Sequence, residues 1–223
     1  MNLALSIDQF LREPELWIGK ERSRSRVRAQ IRMIVVCGLA YGAVMGSFNG
    51  AAGEGWKQML VSGSKVPLLF LVTFGLCLPS FWVLNTLAGL RADFLRVLNA
   101  VLGFQSLAAI VLVALAPITG LINVSTNYYA FVVFCNGITF AIASLCAHWM
   151  MSKLYQRLIT ANHRHALLLR VWVVLYWFVG IQMAWVLRPF IGDPHKPVEF
   201  FRDGAWGNAY VEVIHLVIHI LHR

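Results

Sequence analysis

The residues with the clearest capacity for chemistry lie at the carboxyl end, where Glu212, His215, His219 and His222 fall at i, i+3, i+7 and i+10. On a helix that spacing aligns them along one stripe. Imidazoles one turn apart with a carboxylate beside them form a donor set that zinc or copper takes. The segment has no H-E-x-x-H motif, and Val211, Ile214, Val217, Ile218 and Leu221 cover the rest of its surface. A helix of about 14 residues is too short to cross a bilayer, so the same stripe is also the polar face of a helix lying on the membrane. The polar stripe is the simpler reading, and no metal is expected.

Other chemistry-bearing groups are sparse. Arg188 has Asp193, Glu199, Asp203 and Glu54 within reach in the expected topology, which suits ion pairing. Catalysis would need a nucleophile with a base beside it, and the sequence offers no such pair, so neither an enzyme nor a cofactor is expected. Cys37, Cys77, Cys135 and Cys146 all sit inside apolar runs and form no C-x-x-C pair. They read as small packing residues, not zinc ligands.

The elements that carry these residues follow from composition. Of the 223 residues, 59% are apolar and 13% charged, against about 45–50% and about 25% in soluble domains. Lipid is therefore the solvent. A hydrocarbon core of about 30 Å takes about 20 apolar residues in a helix, and five stretches qualify: 33–50, 66–90, 98–122, 129–151 and 167–190. The fold class that results is all-α, a polytopic five-helix transmembrane bundle with interfacial helices at both ends. Residues 1–32 form a basic, amphipathic segment, 33–190 the membrane domain and 191–223 an outer cap with the histidine helix.

Leu3, Ile7, Phe10 and Leu11 recur at helical spacing before Pro14, with Leu16, Trp17 and Ile18 beyond it. Asp8, Arg12, Glu13 and Glu15 interrupt them, so this end reads as an interfacial helix and not as a cleavable signal. Alternate loops carry thirteen basic residues on the amino-terminal side and six on the other. That imbalance predicts a cytoplasmic amino terminus and an external carboxyl terminus, in a bacterial inner membrane. Lys20, Arg22, Arg24, Arg26 and Arg28 should also attract anionic lipid. Nucleic acid is not expected, since no aromatics interleave with the basic run.

Within the spans, Pro67 is placed at the start of the second helix and Pro79 in its middle, predicting a kink over 76–80. With Asn85, Pro79 marks a candidate polar pathway. Asn85, Asn99, Gln105, Asn136, His148 and Gln182 are expected to meet one another across helix interfaces. Gly38, Gly42 and Gly46 form a G-x-x-x-G-x-x-x-G face, a packing hub or a homodimer contact.

Several segments resemble an uncharacterised family of bacterial multi-pass proteins distantly similar to Yip1-like proteins. They are Tyr41-Gly42-Ala43-Val44-Met45-Gly46-Ser47-Phe48, Lys65-Val66-Pro67-Leu68-Leu69-Phe70-Leu71-Val72-Thr73, and Cys77-Leu78-Pro79-Ser80 with Asn85. Asp93-Phe94-Leu95-Arg96 leads on to Ala116-Pro117-Ile118-Thr119. The later segments are Val179-Gly180-Ile181-Gln182-Met183 through Trp185-Val186-Leu187-Arg188-Pro189-Phe190, and Phe200-Phe201-Arg202-Asp203-Gly204-Ala205-Trp206-Gly207-Asn208-Ala209-Tyr210. The resemblance covers roughly 31–213 and implies a five-helix bundle without an assigned activity. The remote Yip1 likeness implies trafficking, bilayer shaping or small-GTPase binding, and transfers no site residue. The functional expectation is a non-enzymatic membrane scaffold or accessory subunit, with lipids and other membrane subunits or a second copy as partners. A small-solute channel or transporter is the alternative, and a metal-dependent membrane enzyme using the terminal histidines is the third reading.

Overall fold

Inside a bilayer the backbone finds no water, so apolar segments satisfy their own amides by coiling into helices. A computed structural model describes residues 3–14, 17, 24–50, 55–193, 196–202 and 204–211. Its helices are α1 (Leu3–Arg12), α2 (Arg24–Gly46), α3 (Gly55–Leu87), α4 (Phe94–Ser125), α5 (Tyr129–Ala161) and α6 (Arg164–Val186). No strand occurs among the described residues. Helices α2 to α6 are each long and apolar enough to cross a membrane. The protein is an all-α, multi-pass integral membrane protein whose apolar outer faces contact lipid.

Helix α2 occupies the centre, packed along α3 and α4. Met33, Ile34, Cys37, Tyr41 and Met45 are buried on it, while its glycine face lies on α3. A Cβ on Gly38 would stand 3.0 Å from the Pro67 nitrogen, and one on Gly46 would stand 2.8 Å from the Gln58 carbonyl. One on Gly42 would run into the Ser62 carbonyl. The glycines thus bring two backbones of the same chain together, and the face offers no room for a second copy.

Helix α4 is buried at every residue from 99 to 109, as a helix apolar all round should be. Helix α1 docks against it: Phe10 is buried, faces Gly103 and meets Trp17 edge to face with ring centroids 5.5 Å apart. Leu5 and Leu11 remain exposed.

Several boundaries differ from the sequence expectation. Helix α3 begins at Gly55, so Pro67 lies inside it and not at its start. The cause is the glycine face, which leaves space for the proline ring over Gly38. Lys65, expected in a loop, is likewise interior to α3. The helix runs on through Pro79 and closes at Gly89 (φ 73°), where Leu90 N–H donates to Asn85 O and Gly89 N–H to Thr86 O. This is a Schellman ending, which needs the left-handed residue that glycine supplies. Helix α2 starts within the basic run, so Arg24, Arg26 and Arg28 are helical. Helix α6 stops at Val186, short of the expected residue 190, because Pro189 cannot continue it.

The chain after α6 folds back over the bundle. Pro189, Phe190 and Ile191 lie against α3 and α5, accepting hydrogen bonds from Lys65, Ser62 and Tyr129. Gln182 on α6 donates to Gly207 O at 3.0 Å and accepts from Ala209 N–H at 3.0 Å.

Candidate functional site

Helices α5 and α6 follow one another in sequence and pack together near their connection, where Tyr155 meets His165 and Trp172, but separate further along. The gap between them is lined by large side chains, Tyr129, Val133 and Phe140 on α5 and Tyr176, Trp177 and Ile181 on α6, and by small ones. Helix α5 presents Gly137, Ala141 and Ser144 to the gap, and α6 presents Gly180 and Ala184. A Cβ added to Gly137 would meet nothing within 4 Å, and one on Gly180 would meet Thr73 Cγ2 alone, at 3.8 Å. A cleft of about 570 Å³ results, within the range of about 300–1,000 Å³ typical of small-molecule sites. Met45, Phe70 and Phe104 from the three inner helices form its floor. It therefore opens between α5 and α6, toward lipid.

Two polar groups in the walls, Asn136 and Tyr176, are bonded to buried residues behind the lining. Tyr41 Oη donates to Asn136 Oδ1 at 3.0 Å, and Asn136 Nδ2 donates to Val132 O at 2.9 Å. Gln105 Nε2 donates to Phe70 O at 2.6 Å and to the Tyr176 hydroxyl oxygen at 2.7 Å. Thr73 Oγ1, in a residue 1% exposed, has no hydrogen-bond partner.

At one end the character changes. Arg188 and Arg202 line the cleft where the folded-back chain closes it. The Arg188 guanidinium stacks on Trp185, 3.4 Å from the ring centroid. Behind them Lys65 is fully buried. Its Nζ donates to Pro189 O at 2.6 Å and to Glu199 O at 3.5 Å, and lies 5.0 Å from the Phe200 ring centroid. Those partners are neutral. Among the described residues no carboxylate forms an ion pair with Lys65 or Arg202.

A second polar cluster holds the opposite end together. Asp93 accepts from Arg96 Nη1 at 2.8 Å and lies 3.3 Å from His165 Nε2. Tyr155 stands edge-on to His165 with centroids 5.9 Å apart. Arg164 Nη1 donates to Ala88 O at 3.3 Å. The cluster joins the α3–α4 turn to the start of α6. Its residues do not line the cleft between α5 and α6.

The sequence-derived candidates are dispersed. Pro79 is exposed and Asn85 buried; neither lines the cleft, and Asn85 Nδ2 bonds within its own helix to Phe81 O at 2.8 Å. The amides do not pair with one another as expected. Gln105 and Asn136 join helices through carbonyl and tyrosine oxygens, Gln182 holds the tail, and His148 lies near Ser152. Tyrosines and backbone carbonyls were the available partners at those depths. Arg24 and Arg28 are exposed and Arg26 half-buried on the first turns of α2. Lys20, Arg22, Glu54, Asp203, Glu212, His215, His219 and His222 lie outside the described residues. Among the described residues no group of three His, Cys, Asp or Glu could hold a metal ion. The cleft and its basic end escaped the sequence reading. Their trace was the matched small-residue spacing of Gly137 with Ala141 and Gly180 with Ala184.

No protein-family model, curated protein or solved structure matches this chain.

Proposed function

We propose that this protein is a non-enzymatic accessory protein of the bacterial inner membrane that holds one lipid-like molecule between α5 and α6. The carrying observation is the cleft itself: about 570 Å³, apolar-walled, with a glycine on each side whose added Cβ would meet little or nothing. Well-packed helices normally interdigitate without such voids, so a gap of this size facing lipid calls for an occupant. Holding is favoured over conduction because α2 and α4 fill the centre of the bundle and leave the cavity at its side. The excess of basic residues on the amino-terminal side supports a cytoplasmic amino terminus.

The test is purification in mild detergent followed by native mass spectrometry. The wild-type protein is expected to retain one lipid-sized adduct, and Gly137→Phe, which fills the open wall, to lose it. Equal retention by the two proteins would remove the reading.

A further inference from the structure

The two ends of the cleft differ in a way that specifies the occupant's chemistry. Its length is lined by carbon, and one end carries two guanidiniums with a buried ammonium behind them. An uncompensated cation in a low-dielectric setting is costly. Among the described residues, Lys65 is met by two carbonyl oxygens and a ring face, which relieve the cost without cancelling the charge. Arg202 is half-buried and has no carboxylate partner among the described residues. An anion at this end would offset the charge on Lys65 and Arg202.

The depth of the charges narrows the class. Helix α6 ends at Val186, so Arg188 follows the last helical turn directly. Trp185, Phe200, Phe201 and Trp206 cluster around the same end, the aromatic composition of a membrane interface. The basic end therefore lies at headgroup level and the apolar length at acyl-chain level. Paired guanidiniums bind phosphate oxygens with directional, charge-assisted hydrogen bonds.

Resting on the reading that the cleft holds a lipid, we propose that its occupant is an anionic phospholipid, with its phosphate between Arg188 and Arg202 and one acyl chain between α5 and α6. Lys65 adds charge from behind without touching the ligand. Gly137 and Gly180 provide the width that the chain occupies.

The probe is a nanodisc of equal parts phosphatidylglycerol and phosphatidylcholine, and the readout is the lipid retained after detergent extraction, measured by mass spectrometry. Wild-type protein is expected to retain phosphatidylglycerol over phosphatidylcholine at a ratio of about ten to one, the effect of about one charged hydrogen bond. Arg202→Gln should still hold one lipid but lose most of that preference, and Arg202→Lys should keep part of it. Gly137→Phe should lose both lipids. All variants are first checked for monodisperse elution, and Arg202→Lys keeps the test open if the glutamine variant does not fold. Retention of lipid without headgroup preference, or a preference unchanged in Arg202→Gln, would overturn the anionic-lipid assignment while leaving a lipid-holding cleft. A preference that survives in Gly137→Phe would place the anion elsewhere and also overturn it. Recovery of a free fatty acid in place of phospholipid would do the same. No retained lipid in wild type would defeat the underlying reading as well.

Discussion

Tyr41 on α2 and Asn136 on α5 are 95 residues apart in sequence and joined by a hydrogen bond of 3.0 Å beneath the floor of the cleft. Tyr41 is wholly buried and Asn136 is 5% exposed, so neither can turn to water if the other is removed. Tyr41→Phe should therefore destabilise the bundle by about 1–3 kcal/mol, the cost of stranding a buried acceptor. A double-mutant cycle with Asn136→Leu should return a coupling of about 0.5–2 kcal/mol. Thermal unfolding in detergent measures both, and strictly additive effects would show that the bond contributes nothing.

The glycine face of α2 gives a prediction with an internal control. Gly42→Ala drives a methyl into the Ser62 carbonyl, a backbone atom that cannot move aside. Overpacking of this kind costs about 1–3 kcal/mol. Gly75→Ala on α3 meets nothing within 4 Å, and should be neutral or stabilising by about 0.5–1 kcal/mol, as glycine-to-alanine changes inside helices are. The melting temperature should fall in Gly42→Ala and hold or rise in Gly75→Ala.

Lys65 anchors the chain that follows α6. Replacing it with Met keeps the aliphatic stem but strands Pro189 O, which its ammonium now satisfies at 2.6 Å. A hydrogen bond to a charged group contributes about 1.5–3 kcal/mol. Hydrogen exchange over 190–202 should accelerate about tenfold or more in Lys65→Met, with little change in α4. Unaltered exchange in that segment would show that Lys65 does not hold it.

Asp93 makes the comparable test at the other end. Asp93→Ala leaves the His165 ring, 1% exposed, without its carboxylate partner. A loss of about 1–3 kcal/mol is expected, accompanied by fraying of the first turn of α6. His165→Ala in the same background should add little, because the pair acts as one unit. Additive losses in the double variant would separate the two residues.

The number of crossing helices was legible because hydropathy over a bilayer thickness is a strong, additive signal. The ends were harder to read. Lys57, Ser62, Ser64 and Lys65 make the start of α3 look like a loop, yet helix formation there needs only the glycine face of α2 beside it. The cleft is a gap, and a gap has no residue type of its own. Gly137, Ala141, Gly180 and Ala184 could equally have signalled helices in close contact; only the relative placement of α5 and α6 decides which. Arg188 and Arg202 were visible as charges, but their meeting depends on the chain doubling back after Val186.

Gln182 grips the chain that returns past it, donating to Gly207 and accepting from Ala209, while Tyr210 stacks on Phe178 and donates to its carbonyl at 2.6 Å. Both anchors stand on the helix that also walls the cleft through Gly180 and Ala184. A tilt of that helix, whether inward on an empty cleft or outward around a guest, drags the 207–210 stretch with it. The tail is geared to the wall, and the state of a groove inside the bilayer is written on the surface outside it.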